Sequence, residues 1–191
     1  KINSLHALKN SKELMSFANK KKIIKIGSYL LNEDCYVNAI ELFAKPAKIG
    51  LKSPVHQDNA YWCLTKPKGL TMWIALTAAN KKNGGIFYYV GTNNLNNLSH
   101  VPSHIKGSSQ MIKPEIVKDL NKKKIKYFPS LEKGDACIHH AYICHGSGVN
   151  KSSRPRRGLT IQMFSKKAKK DILMQKKYEE SLSWQISKRI N

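Results

Sequence analysis

Two short segments of this 191-residue chain carry side chains that could bind a metal ion. The first contains His56 and Asp58, which are separated by one residue, and the second contains His145. Alternate side chains of a β-strand share a face, so we expect the imidazole of His56 and the carboxylate of Asp58 to project together. Two ligands cannot hold a divalent metal firmly, and His145 is the best candidate for the third. Two histidines and one carboxylate form the facial triad of non-haem Fe(II) oxygenases.

A serine and several arginines follow His145 along the chain. Ser147 lies two residues after it, and Arg156 lies eleven residues after it. If His145 ends one strand and Arg156 lies in the next, a hairpin would bring them side by side. A guanidinium binds a carboxylate through two parallel hydrogen bonds, which would suit the far end of a keto acid that chelates the metal. Arg154 and Arg157 compete for this role, and strand alternation lets only one of Arg156 and Arg157 face the pocket.

Ordered motifs between about Lys45 and Gln162 make the chain resemble the phytanoyl-CoA dioxygenase family of Fe(II)/2-oxoglutarate oxygenases. The matching pieces are Lys45-Pro46, Pro54 to Asp58, Thr71 to Leu76, Asn83-Gly84-Gly85, Gly134-Asp135, His139-His140, His145 to Gly148 and Asn150 to Gly158. The resemblance implies a double-stranded β-helix, which is a jelly roll of two sheets with the metal ligands in its open mouth. Asn93 departs from the family, which usually has histidine at this turn.

The resemblance also implies a role for each candidate residue. The ligands that it implies for Fe(II) are His56, Asp58 and His145, with dioxygen and 2-oxoglutarate completing the site. The family spacing selects Arg156 as the partner of the far carboxylate of 2-oxoglutarate, to which Ser147 would donate a hydrogen bond. Trp73 falls where the family has a tryptophan beside the co-substrate. His140 is shared with the family, but His145 carries the following motif and is therefore the predicted ligand.

The implied reaction is hydroxylation of a small organic substrate with release of succinate and carbon dioxide. Related halogenating enzymes have a small residue in place of Asp58, so the carboxylate favours hydroxylation. For the substrate we expect contacts with Tyr61, which is close to the metal pair, and with Lys45. Neither residue identifies a compound, and the positive charge of the chain favours an anionic substrate only weakly.

The composition is that of a folded and strongly basic chain, with 41% hydrophobic residues and a formal net charge of +22. No apolar run approaches the ~20 residues that cross a bilayer. The cysteines are Cys35, Cys63, Cys137 and Cys144. They form no C-x-x-C pair, so we expect reduced thiols in a cytoplasmic protein. The chain does not begin with Met, and we expect N-terminal residues to be missing, because the family usually has a helical segment before its first strands.

The positive charge leaves two alternative functions open. One is a catalytically silent basic barrel that binds nucleic acid or a protein partner. The other is a nucleic-acid demethylase that shares the metal triad. A sequence rich in Lys, Ile and Asn, as coding bias can produce, is the favoured explanation of the charge, and the motifs match the phytanoyl-CoA dioxygenase family. We therefore expect a small-molecule substrate and do not expect nucleic acid as a partner.

Short strands separated by turns predict one mainly β, antiparallel domain over residues 1–191. We place the core barrel at about residues 36–164. Helical residues should precede it, and a basic helical tail should follow it at about residues 166–191.

Three local predictions concern the surroundings of the site. His56 to Cys63 is expected to form one metal-binding strand, and no helix is expected between Tyr36 and Val90. The polar segment from Asn94 to Ser130 is long enough for a lid or a disordered loop. Within it, Pro114 to Lys124 could form a short helix.

Overall fold

The computed structural model describes residues 4–6, 8–66 and 68–190, and side chains through residue 188. The strands are β1 Ser4–Leu5, β2 Cys35–Lys45, β3 Ser53–His56, β4 Gly69–Ala75, β5 Ile86–Tyr89, β6 His100–Pro102, β7 Gln110–Ile112, β8 Lys126–Tyr127, β9 Ala136–His140, β10 His145–Ser147 and β11 Arg156–Ser165. The α-helices are α1 Lys12–Ala18, α2 Lys21–Leu31, α3 Asn59–Trp62, α4 Pro114–Lys123 and α5 Ile172–Ile190. Short 3-10 turns occur at Leu8–Asn10, Lys81–Asn83 and Thr92–Asn94.

Two antiparallel sheets form the core of the molecule. The larger sheet has the strand order β1-β2-β11-β4-β9, and the smaller has the order β3-β10-β5-β8. Each sheet ends in strands without a further neighbour in the described residues, so the core is an open jelly roll of two sheets. The predicted mainly β fold is confirmed, but the core is not a closed barrel.

The larger sheet has one face in the hydrophobic core and the other in a cavity. On β11, Leu159, Ile161 and Met163 are buried and pack against Ile40 and Met72 under helices α1 and α2. Burial of each such side chain stabilises the fold by roughly 1.5–3 kcal/mol. The intervening residues of β11 point the other way, because side chains alternate along a strand. The same strand therefore stabilises the fold and presents side chains to the cavity.

The N-terminal helices cover the outer face of the larger sheet. Ser11 caps α1 by accepting a hydrogen bond from the backbone N–H of Leu14, as is usual for a serine at this position. Helix α2 ends at Asn32 in the left-handed conformation. The prediction of helical residues before the core is confirmed.

The segment between β5 and β9 is ordered rather than a bare loop. It contains the hairpin of β6 and β7, followed by α4 and β8. The predicted short helix is confirmed as α4, which begins with Pro114 in its first turn, where proline is favoured. The C-terminal tail forms α5, as predicted. No helix in the described part of the chain is both long enough and apolar enough to cross a membrane.

Candidate metal and co-substrate site

The three predicted metal ligands lie together at one end of the cavity. His56 is the last residue of β3 and His145 is the first residue of β10, and the two are paired directly across these antiparallel strands. One ligand atom from each histidine and from Asp58 lies within 4.8 Å of the other two. The structure therefore brings together the three side chains that the sequence analysis selected as metal ligands.

The prediction of one strand from His56 to Cys63 is wrong. The strand ends at His56, Asp58 adopts a helical conformation, and residues 59–62 form the short helix α3. The chain bends because the fully buried amide of Gln57 donates to the carbonyls of Asn96 and Tyr142. Asp58 thus reaches the site through a turn and not through strand alternation. The expectation of no helix before Val90 fails at the same place.

Hydrogen bonds fix the orientation of both candidate histidine ligands. The Nδ1 atom of His56 lies 2.8 Å from the carbonyl oxygen of Pro54, and that of His145 lies 3.0 Å from the carbonyl oxygen of Ile143. A carbonyl only accepts, so Nδ1 must carry the proton in each ring. The Nε2 lone pairs are then free for a metal, as in most histidine-ligated sites. Both Nε2 atoms face the same oxygen of Asp58, at 3.7 and 3.6 Å.

The protonation states of these groups suit a divalent cation. Burial lowers the pKa of His56 and lowers that of His145 well below its usual range, which keeps both imidazoles neutral. Burial alone would raise the pKa of Asp58, but His145 and His139 outweigh it and hold that pKa well below its usual range. Two neutral imidazoles and one carboxylate are the protonation states that metal binding requires, and the donor set matches non-haem Fe(II).

A third histidine, His139, joins this end of the cavity and was not assigned from the sequence. Its Nε2 atom lies 3.0 Å from Oδ2 of Asp58, and its Nδ1 atom lies 3.1 Å from the hydroxyl of Tyr88. The hydroxyl of Thr71 also donates to Oδ2 of Asp58, at 2.6 Å. Alternation along β9 required His139 and His140 to point to opposite faces. Only the pairing of His139 with Thr71 across β9 and β4 shows which one faces the site.

The opposite end of the cavity contains two buried cations. Arg156 is 2% exposed, and its guanidinium donates to the carbonyl of Gly84 from Nε at 3.2 Å and from Nη2 at 2.7 Å. Lys45 is paired with Arg156 across β2 and β11 and is 8% exposed. Its ammonium donates to the carbonyls of Leu51 at 2.7 Å and Gly148 at 2.5 Å.

No carboxylate forms an ion pair with Lys45 or Arg156 among the described residues. Burial, and then the charge of Arg156, lower the pKa of Lys45 to about 7. Burial lowers the pKa of Arg156 to about 10. Buried charges are normally paired, so two adjacent cations held only by carbonyls form an environment that favours an anion.

Trp73 and Ser147 connect the two ends of the cavity. Both are nearly buried and line it. The ring of Trp73 lies under the guanidinium of Arg156, with 5.2 Å between its centroid and the guanidinium carbon. Gly158 makes room for this ring, because a Cβ atom there would lie 2.0 Å from it. The two residues therefore line the same cavity as the candidate metal ligands and Arg156, and their contact with a co-substrate stays a prediction.

The two residues predicted to contact the substrate lie at different places. Lys45 lines the cavity, but at the end that contains Arg156. The ring of Tyr61 packs edge-on against His56, with 5.4 Å between centroids. Its hydroxyl donates to the carbonyl of Gln110 at 3.0 Å. Burial raises the pKa of Tyr61 to about 12, so the hydroxyl remains a donor at neutral pH.

A loop between β6 and β7 closes part of the cavity, and helix α5 holds this loop. Lys106, Gly107 and Ser108 line the cavity. The buried amide of Gln185 on α5 donates to the carbonyls of Ser103, Ile105 and Ser108. The predicted lid segment thus includes an ordered loop over the site. The cavity that it covers has a volume of about 180 Å³.

Comparison with known proteins agrees with this geometry. The model of the family described as "Phytanoyl-CoA dioxygenase (PhyH)" matches residues 2–158, which confirms the resemblance read from the motifs. Human peroxisomal phytanoyl-CoA dioxygenase is 25% identical over 170 residues, which cover 86% of this chain and 49% of that protein. The chain therefore spans about half the length of this curated relative.

Solved structures share the fold. EctD from S. alaskensis, crystallised with 2-oxoglutarate and 5-hydroxyectoine, superposes with a TM-score of 0.73 at 17% identity, over 86% of this chain and 56% of that one. SnoK, a non-haem α-ketoglutarate-dependent carbocyclase from nogalamycin biosynthesis, gives a TM-score of 0.72 at 21% identity, over 86% of this chain and 64% of that one. These likenesses confirm the predicted jelly-roll fold.

Proposed function

Because the chain belongs to the phytanoyl-CoA dioxygenase family, whose members use Fe(II) and 2-oxoglutarate, we propose that it is a dioxygenase that hydroxylates a small organic substrate. The observation that carries the proposal is the convergence of His56, Asp58 and His145, whose ligand atoms lie within 4.8 Å of one another. When bound, Fe(II) and 2-oxoglutarate would activate dioxygen, transfer one oxygen atom to the substrate and release succinate and carbon dioxide.

The roles of the ligands follow from their hydrogen bonds. His56 and His145 would bind Fe(II) through Nε2, because their Nδ1 protons are engaged by backbone carbonyls. Asp58 would bind through Oδ1, the oxygen that both imidazoles face. Its negative charge partly balances the metal and, by occupying this position, favours hydroxylation over halogenation. Three protein ligands leave the remaining positions open for the co-substrate and dioxygen.

The cations at the far end would hold the distal carboxylate of 2-oxoglutarate. Arg156 offers a planar fork of N–H donors, which is suited to a carboxylate. Lys45 adds a second positive charge beside it. Ser147 would donate its hydroxyl to the same carboxylate, and the ring of Trp73 would support its position. Binding of the dianion would neutralise a charge that the protein leaves unbalanced.

The substrate would enter beneath the loop between β6 and β7. Lys106 on this loop and Lys52 both line the cavity, which supports an anionic small molecule. Tyr61 is not among the residues that line the cavity, and we keep it as a predicted substrate contact because its ring lies against His56. A cytoplasmic location, suggested by the cysteines, remains a prediction.

Anaerobic titration with Fe(II) and 2-oxoglutarate tests this function directly. We expect the weak visible metal-to-ligand charge-transfer band in the parent protein and its loss in His145→Ala. The matched control is His140→Ala, which removes an imidazole five residues away that does not line the cavity. A folded parent protein that gives no band would contradict the proposal, as would an unchanged band in His145→Ala.

A further inference from the structure

We propose that His139 is a positioning residue that holds Asp58 through Oδ2, so that only Oδ1 faces the metal. The proposal deepens the proposed function and rests on it, because it concerns the same metal site. It begins from the unequal surroundings of the two carboxylate oxygens.

The two oxygens of Asp58 have different partners. Oδ2 accepts hydrogen bonds from the hydroxyl of Thr71 at 2.6 Å and from Nε2 of His139 at 3.0 Å. Oδ1 faces the Nε2 atoms of His56 and His145 at 3.7 and 3.6 Å. These longer distances leave space for an ion between the three groups. One oxygen is therefore held by the protein while the other is presented to the metal.

The carboxylate determines the tautomer of His139. An ionised carboxylate accepts hydrogen bonds only, so Nε2 of His139 must carry its proton towards Asp58. The hydroxyl of Tyr88 lies 3.1 Å from Nδ1, on the other side of the ring. In His56 and His145, by contrast, Nδ1 carries the proton that is donated to a carbonyl, and Nε2 faces Asp58. His139 is thus a donor to the carboxylate, and its arrangement differs from that of a fourth ligand.

This chain of hydrogen bonds joins the two sheets at the metal site. Thr71 and His139 belong to the larger sheet, where they are paired across β4 and β9. Tyr88 belongs to the smaller sheet, where it is paired with His145 across β5 and β10. Tyr88 and His139 are also in ring contact, with 5.2 Å between centroids. Asp58 itself lies in a turn and not in either sheet, so these contacts supply the positioning that a strand would otherwise give.

The arrangement has a specific chemical consequence. A carboxylate can bind a metal through one oxygen or through both, and binding through both would occupy a position that the co-substrate or dioxygen needs. Hydrogen bonds from Thr71 and His139 engage Oδ2 and disfavour the second mode. Partners of this kind in other metal sites change metal affinity by about 10–100-fold when they are removed.

Titration of the metal-free protein with Co(II), used as an air-stable substitute for Fe(II), tests the proposal. In His139→Leu we expect Co(II) affinity to fall by about 10–100-fold, with a changed visible ligand-field spectrum that reports altered coordination. His139→Gln keeps an N–H donor near the position of Nε2 and should recover most of the affinity and the parent spectrum. The matched control is His140→Leu on the adjacent residue, which should bind Co(II) like the parent.

Three outcomes would overturn the positioning role. One is a folded His139→Leu protein with the affinity and spectrum of the parent. Another is a loss in His139→Gln as large as in His139→Leu, because that would make the imidazole itself a ligand. The third is an equal loss in the His140→Leu control, which would indicate a general effect on β9.

Two further measurements keep the test decisive. If His139→Leu does not fold, Tyr88→Phe is the second variant, because it removes the hydroxyl that contacts Nδ1 of His139. We expect it to weaken Co(II) binding, but by less than His139→Leu. Binding equal to that of the parent would contradict the proposal. A parent protein that binds no Co(II) would refute the metal site and the proposed function. A parent protein that binds Co(II), with His139 variants that do not differ from it, would refute the positioning role alone.

Discussion

The two ends of the cavity contain side chains of opposite charge. At the metal end, the ionised carboxylate of Asp58 lies between the neutral imidazoles of His56 and His145, whose Nε2 atoms both face its Oδ1. At the far end, Lys45 and Arg156 lie side by side, and carbonyl oxygens are their hydrogen-bond partners. The first end therefore presents an anionic side chain, and the second presents two basic side chains. Under the proposed function, a metal chelated by a dicarboxylate would balance the charge at both ends.

The largest change should come from removing the charge at the metal end. Asp58→Asn keeps the shape of the side chain, but it leaves two neutral imidazoles without an anionic ligand. We expect Co(II) affinity to fall by more than the roughly 100-fold loss known for outer-shell partners. Equilibrium dialysis measures this affinity. Binding close to that of the parent would show that the metal end does not depend on the charge of Asp58.

Removing the guanidinium at the far end should affect the co-substrate and not the metal. Truncation of one partner of a buried charge pair costs about 2–5 kcal/mol, so Arg156→Ala should weaken 2-oxoglutarate binding by at least about 30-fold. Affinity for Co(II) alone should stay near that of the parent. The exposed neighbour Arg157 provides the control, because Arg157→Ala removes the same group from the other face of β11. Unchanged 2-oxoglutarate affinity in Arg156→Ala would remove Arg156 from this role.

Lys45 should make co-substrate binding dependent on pH. Its pKa is lowered to about 7 in the folded protein, so the free protein loses this charge as the pH rises through 7. A bound carboxylate favours the ammonium, so binding should take up a proton, and affinity should fall by up to about tenfold per pH unit above 7. Calorimetry in buffers of different ionisation enthalpy measures the proton uptake. Lys45→Met should abolish it, and uptake that persists in this variant would assign the proton elsewhere.

The same depressed pKa has a defined effect on folding. An unfolded lysine has a pKa of about 10.4, so between pH 7 and about 10 the unfolded chain binds more protons than the folded one. The contribution of Lys45 to the free energy of unfolding must therefore increase with pH across this window. Chemical denaturation of the parent and of Lys45→Met at both limits would show this difference.

The smallest predicted effect concerns the tryptophan between the two ends. Gly158→Ala places a Cβ atom where the ring of Trp73 lies, and overpacking of this kind typically costs about 1–3 kcal/mol. Thermal denaturation should show a lower midpoint, and displacement of the ring from beneath Arg156 should weaken 2-oxoglutarate binding modestly. A parent-like melting temperature would show that the ring can move without cost.

Ordered sequence motifs were sufficient to select His56, Asp58, His145 and Arg156 as candidates, and the structure brings the first three together. The reasoning behind Asp58 was nevertheless wrong, because strand alternation does not operate beyond His56. The turn depends on the buried amide of Gln57, whose partners lie 39 and 85 residues away along the chain. A local pattern cannot show contacts of that range.

The role of His139 could not be read from the sequence for a related reason. Alternation separates His139 from His140 but does not show which of them faces the cavity. That choice depends on the register of β9 against β4, which pairs His139 with Thr71. The place of Lys45 depends in the same way on its pairing with Arg156. Both positions depend on the register between strands that are distant in the sequence, and a local sequence pattern does not show that register.

The hydrogen bonds from Gln185 tie the loop of Ser103 to Ser108, which lines the cavity, to the C-terminal helix α5. The family match ends at residue 158, whereas α5 begins at Ile172. The helix that holds this loop therefore lies beyond the residues that the family model matches. Exchanging this tail would therefore change the support of the loop over the cavity and leave His56, Asp58 and His145 in place.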